Sequence, residues 1–180
     1  MKRLLLNCIL ACTTTYGYTQ KKPIRYYQAE RYQKKLDSLR EVNDYKVKPE
    51  GDPIELATQL ALLYYPELKG HKIKIKYKKN VQYPITASWS FGNVFKFRRG
   101  HTYVLLLSEN SFVKSVSLNK QVGVIGHEMA HFIYYKKRPS IAMLWWGIKY
   151  ITSNKFRYRF EKDADKSTID HGLGYQLLVY

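Results

Sequence analysis

Two histidines four residues apart, with a glutamate next to the first, are suited to one kind of chemistry. His127, Glu128 and His131 form an H-E-x-x-H pattern, in which both imidazoles can hold one zinc ion. On an α-helix, residues i and i+4 lie on one face a turn apart, so both rings reach the same point. Glu128 is rotated about 100° from His127 by the helical period. That sets its carboxylate beside the metal, where a general base for an activated water belongs.

Two histidines do not complete such a site, because catalytic zinc takes three protein ligands and keeps one position open. Downstream, Glu161, Asp163, Asp165, Asp170 and His171 can each supply a ligand atom. A histidine six residues past His131 would mark one large class of zinc enzymes, but position 137 is Lys, which excludes that class. The segment Phe160-Glu161-Lys162-Asp163-Ala164-Asp165 is the better source. Glu161 and Asp165 share a helix face at i and i+4, so one can bind metal while the other accepts a hydrogen bond from a ligating histidine. Spacing leaves open which of the two does which.

His127-Glu128-x-x-His131 followed some thirty residues later by Glu161-x-x-Ala164-Asp165 resembles the gluzincin metallopeptidases. The closest pattern is the group of HtpX-type heat-shock proteases and CAAX prenyl endopeptidases, with their small soluble relatives, the minigluzincins. The resemblance covers Val122 to about Gly174. It implies a zincin-like domain with one Zn2+ per chain, Glu161 as third ligand and Asp165 supporting a zinc-binding histidine. It also implies peptide hydrolysis with Glu128 as general base. Some relatives carry a downstream residue that stabilises the transition state; His171, Tyr175, Arg157 and Arg159 are the candidates here. Relatives bind a peptide or protein substrate in extended form along an edge strand, and Thr102 to Leu107 is the expected one. The transmembrane helices of the large relatives have no counterpart. The alternative is a zinc-stabilised binding or chaperone-like envelope protein without turnover.

The elements that must position these residues can be read from periodicity. Val122, Val124, Ile125, Met129, Phe132 and Ile133 give the motif helix a buried side. Lys136, Lys137 and Arg138 complement its C-terminal dipole, Pro139 closes it, and Asn119 is the expected N-cap. Gly123 and Gly126 weaken the helix, which fits either close approach of another backbone or tolerated packing. Before it, Lys21 to Tyr45 reads as one helix. Asp52 and Pro53 open a second, with Glu55 in a variant capping box and a buried stripe of Leu56, Leu60, Leu63 and Tyr64. From His71 the period becomes two: Ile73, Ile75 and Tyr77 alternate with lysines. Ile85 to Trp89, Val94 to Arg98 and Thr102 to Leu107 continue as strands, so a small sheet, antiparallel or mixed with antiparallel pairing favoured, packs on the motif helix and a second ligand helix. The class is α+β, in one domain over 21–180. Ile141 to Ile151 is the most apolar stretch past the N-terminus, expected as a buried helix or hairpin, with a lipid-dipping surface anchored by Trp145 and Trp146 as the alternative.

Residues 1–20 read as a secretory signal: Lys2 and Arg3, then a short apolar run too short to span a bilayer. An exported, periplasmic or secreted protein is expected, and Ile9-Leu10-Ala11-Cys12 is a degenerate lipoprotein match that would anchor it through Cys12. Both cysteines, Cys8 and Cys12, lie in this segment. The net charge is +17, and an anionic envelope surface is its best counterpart. No nucleic-acid-binding motif is present, and no nucleic acid is expected as partner.

Overall fold

The computed structural model describes residues 24–43, 46–79, 81–89 and 101–178. The N-terminal signal reading and the Val94 to Arg98 strand reading lie outside the described residues. Two short helices come first, α1 (Ala29–Gln33) and α2 (Leu36–Asn43), where one helix was expected. A turn, with Lys35 N–H donating to Tyr32 C=O, re-aims the chain so that Leu36 and Leu39 pack on the core. It also lets Arg40 grip Glu55 through two bonds of 2.8 Å.

Strand β1 (Lys46–Lys48) leads to α3 (Glu55–Leu62). Asp52 does not cap α3; its Oδ1 accepts from Ile54 N–H at 3.0 Å and shapes the turn before the helix. Glu55 does reach back, accepting from Gly51 N–H at 2.5 Å. Every residue of α3 is buried, so the expected stripe is a helix enclosed on all sides. Strands β2 (Lys72–Lys78), β3 (Ile85–Trp89) and β4 (Thr102–Ser108) complete a sheet of order β1-β2-β4-β3.

The favoured antiparallel pairing is corrected. β1 and β4 both run parallel to β2, and only β3 is antiparallel, to β4. The parallel β1–β2 pair is bridged by α3, the crossover such a pair requires. β4 inserts between β2 and β3, so these two strands, consecutive in sequence, are not neighbours. Alternation in β2 correctly marks Ile73 and Ile75 as buried, but a period of two reports the wet face and not the partner.

Helix α4 (Leu118–Lys136) carries the motif and is buried along most of its length. Its N-cap is Ser117, whose Oγ accepts from Lys120 N–H. Asn119, the expected cap, lies inside the first turn and accepts instead from Tyr27 N–H at 3.2 Å. That bond ties the start of the described chain to α4. After α4 come α5 (Ser140–Thr152), α6 (Asn154–Thr168), a π-type turn over Ile169–Leu173, and α7 (Gly174–Leu178). α5 is a helix, as one expectation had it, but its outer side is not buried: Trp145, Ile148 and Ile151 are exposed. Among the described residues, no helix is long and apolar enough to cross a membrane.

The two helix-weakening glycines have a packing reason. A Cβ at Gly123 would lie 2.5 Å from the Gln176 carbonyl carbon of α7, and one at Gly126 would meet the Leu173 side chain at 2.5 Å. Backbone cannot yield as a side-chain tip can. Gly123→Ala is therefore expected to destabilise the protein by about 1–3 kcal/mol, as overpacking does, and Gly126→Ala by less. Chemical denaturation of the two variants measures the difference.

Candidate metal centre and its cleft

The i, i+4 spacing on α4 turns the two motif imidazoles toward each other, with His127 Nε2 and His131 Nε2 3.1 Å apart. From α6, Glu161 Oε2 approaches the same two atoms at 3.0 and 3.3 Å. Asp165, one turn further, reaches the far side of the His127 ring, its Oδ1 2.8 Å from Nδ1. A carboxylate only accepts, so in the neutral ring Nδ1 carries the proton and the Nε2 lone pair faces His131 and Glu161. The choice that spacing left open is thereby made: Glu161 stands with the histidines and Asp165 behind one of them. The π-face of Phe160 stacks on His131 at 4.5 Å between ring centroids, which holds that ring in place.

His127, His131 and Glu161 form a group able to hold a metal ion. A tetrahedral ion with bonds of about 2.0–2.1 Å needs ligand atoms about 3.3–3.4 Å apart. The three atoms stand at 3.0, 3.1 and 3.3 Å, close to one face of that tetrahedron. Two nitrogens and one carboxylate oxygen are also the donor set of a catalytic zinc site, whereas calcium and magnesium take oxygen.

The electrostatics without metal show how strongly this cluster attracts a cation. Burial works against the His127 imidazolium, but the carboxylates of Glu161, Glu128 and Asp165 outweigh it and lift its pKa to about 9. Burial likewise works against the Glu161 carboxylate, yet hydrogen bonds from His127, His131 and Tyr150 hold its pKa well below the usual carboxylate range. Glu128 behaves oppositely. It is buried, and desolvation raises its pKa despite the nearby histidines. Its Oε2 accepts from the Ala87 N–H of β3, so it stands beside the group of three and not within it.

A cleft of about 1010 Å³ opens over these residues. One wall is the segment 83–88, which includes most of β3; the opposite wall is aromatic, with Trp146 and Tyr150 from α5 and Phe156 and Phe160 from α6. Strand 102–107, the expected substrate strand, is not available: β4 is paired on both sides, with β2 and β3. The outer strand here, among the described residues, is β3. Ser108 N–H donates to Pro84 C=O, so the alternation of an antiparallel pair turns the backbone groups of Ile85 and Ala87 away from β4. Ala87 shows this directly, its C=O accepting from Tyr135 O–H at 3.3 Å and its N–H bonded to Glu128.

His171 and Tyr175 are not brought to the cleft. His171 stacks on Tyr65 at 4.3 Å and lies 3.2 Å from Glu67, and Tyr175 lies beneath the Arg25 guanidinium. Of the two arginines, Arg157 lines the cleft and Arg159 does not. Asp170 pairs with Lys166 at 3.2 Å, and His71 and His101 are buried at the starts of β2 and β4, away from the cleft lining.

One residue escaped sequence reading. Tyr150 O–H donates to Glu161 Oε1 at 2.7 Å, leaving Oε2 turned to the histidines. Nothing in the run IAMLWWGIKYI distinguishes this tyrosine from a core residue; only the return of α5 along α6 brings it there. Partners of ligating groups typically carry 10- to 100-fold in metal affinity. Tyr150→Phe and Asp165→Ala are each expected to weaken metal binding by about that range, measured by competition with a chromogenic chelator. No protein-family model, curated protein or solved structure matches the chain.

Proposed function

We propose that this chain is a zinc-dependent endopeptidase with a zincin-type fold, in which His127, His131 and Glu161 hold the metal and Glu128 moves the proton. The observation that carries the reading is the convergence of three ligand atoms at 3.0–3.3 Å beside a buried carboxylate, Glu128, that bonds to Ala87 N–H and to neither ring. The motif pair's likeness to gluzincins supports the same reaction class. Zinc bound there would supply Lewis acidity that lowers the pKa of a water molecule to about 7.

The chain's own residues do the rest. Glu128, its pKa raised by burial, is a base closer in strength to that water than an exposed glutamate, which favours transfer in both directions. It takes the proton during attack on the peptide carbonyl and returns it to the departing amine. The outward backbone of β3 at Ile85 offers main-chain hydrogen bonds to an extended peptide, in place of strand 102–107, while the N–H and C=O of Ala87 are held by Glu128 and Tyr135. The aromatic wall of α5 and α6 excludes water and receives apolar side chains of the substrate. Arg157, on the same wall, is the cation nearest in role to a carbonyl-stabilising group.

The charged-then-apolar start of the chain supports action outside the cytoplasm, in the envelope. Hydrolysis of casein or a quenched peptide, measured with metal content in wild type and Glu128→Gln, tests the proposal. A metal-loaded wild type without turnover would favour the non-catalytic binding protein instead.

A further inference from the structure

We propose that the outer face of α5 docks on an anionic lipid bilayer. The inner side of this helix is fully employed: Trp146 packs edge-on against Tyr134 at 4.8 Å and Phe156 at 4.7 Å. The outer side carries three large apolar side chains, and no ring contact or hydrogen bond covers them among the described residues. Trp145 is 66 %, Ile148 49 % and Ile151 79 % exposed. Their i, i+3, i+6 spacing spreads them over an arc of about 120°. An exposed cluster of this kind marks an interaction surface and not an incidental one.

Charge identifies what covers it. From Met129 to Phe160 the chain has seven Lys or Arg and no Asp or Glu. Lys137, Lys149, Lys155 and Arg159 of that stretch are exposed; of the first three acids that follow, Glu161 and Asp165 are turned to His127, and only Asp163 is exposed. A tryptophan and isoleucines rimmed by cations are the pattern of a helix lying in the plane of a membrane interface. At 13 residues α5 spans only about 20 Å, against the roughly 30 Å of a hydrocarbon core, so it lies on the bilayer and does not cross it. A second copy of the chain is the poorer occupant, because a two-fold contact would set this predominantly positive face against itself.

Docking has a geometric consequence. Ile151 belongs to both the exposed face and the cleft lining, and Gly147 and Tyr158, both exposed, also line the cleft. The cleft mouth therefore opens at the lipid surface, where segments of other proteins next to a membrane are within reach. The lipid contact itself does not depend on what the cleft hydrolyses.

The test is sedimentation of the purified protein with phosphatidylcholine vesicles, with and without phosphatidylglycerol. Wild type is expected to pellet with the anionic vesicles only, with a blue shift of tryptophan emission, and to be released as salt rises. The double variant Trp145→Ser, Ile148→Ser changes two exposed residues outside the cleft. It is expected to partition at least about tenfold more weakly, with unchanged circular dichroism and unchanged hydrolysis of a soluble peptide. Lys149→Gln with Lys155→Gln should weaken it by about fivefold per charge removed. Three results would each overturn the proposal: no wild-type binding to anionic vesicles, binding by the Trp145/Ile148 variant equal to wild type, or a lipid-indifferent dimer that the same variant disperses.

Discussion

In Glu128→Gln, peptide hydrolysis is expected to fall by on the order of 10²–10⁴-fold, the range general acid–base catalysis contributes, while the protein keeps one metal ion per chain. The substitution preserves shape. A glutamine Oε1 can still accept from Ala87 N–H, as the carboxylate does now, so β3 and the cleft wall keep their places. What is lost is a group that can hold a proton between attack and departure of the amine. Because Glu128 lies outside the triangle of His127, His131 and Glu161, its neutralisation leaves the ligands intact. Full activity in this variant would remove Glu128 from the mechanism. Loss of metal along with activity would instead make it part of the metal site.

The second large effect is on metal uptake as pH changes. In the metal-free protein the His127 pKa is lifted to about 9 by Glu161, Glu128 and Asp165 against the opposing effect of burial, so at neutral pH the ring holds a proton that a metal must displace. Each pH unit below 9 then weakens apparent zinc affinity about tenfold, or roughly 100-fold between pH 9 and pH 7. Stability runs the other way. A histidine whose folded pKa lies above its unfolded value stabilises fully below the unfolded pKa, and that contribution is lost as pH rises through the folded one. The metal-free protein is thus expected to lose thermal stability between about pH 6.5 and 9, over which the zinc-loaded protein gains relative to it. Calorimetric titration in buffers of different ionisation enthalpy counts the displaced proton, and melting curves with and without chelator read the stability. A zinc affinity flat from pH 7 to 9 would mean that His127 is already neutral.

The legible parts of this chain are those in which chemistry depends on neighbours in sequence. His127, Glu128 and His131 are ordered by one helix, so their relative placement follows from the 3.6-residue period alone. Glu161 and Asp165 share a second helix for the same reason, and the alternation in β2 identified its buried isoleucines. These are short-range relations, and they also suffice for the α+β class.

Distance in sequence is where reading stopped. Whether Glu161 or Asp165 meets the histidines depends on how α6 is rotated against α4, and that is settled by Ala164 packing into the core and Phe160 stacking on His131. Which strand stands at the cleft depends on β4 inserting between β2 and β3, an arrangement no hydrophobic period encodes. The composition of α5 allows two readings, buried element or lipid-dipping surface, and only the fold turns Trp146 inward and leaves Trp145 exposed. The sequence by itself determined the two pairs of i, i+4 groups able to make a metal site, because each pair is carried by a single helix. Only the tertiary structure decided their mutual orientation, the strand beside them and the helix face left open, because those depend on packing between elements far apart in the chain.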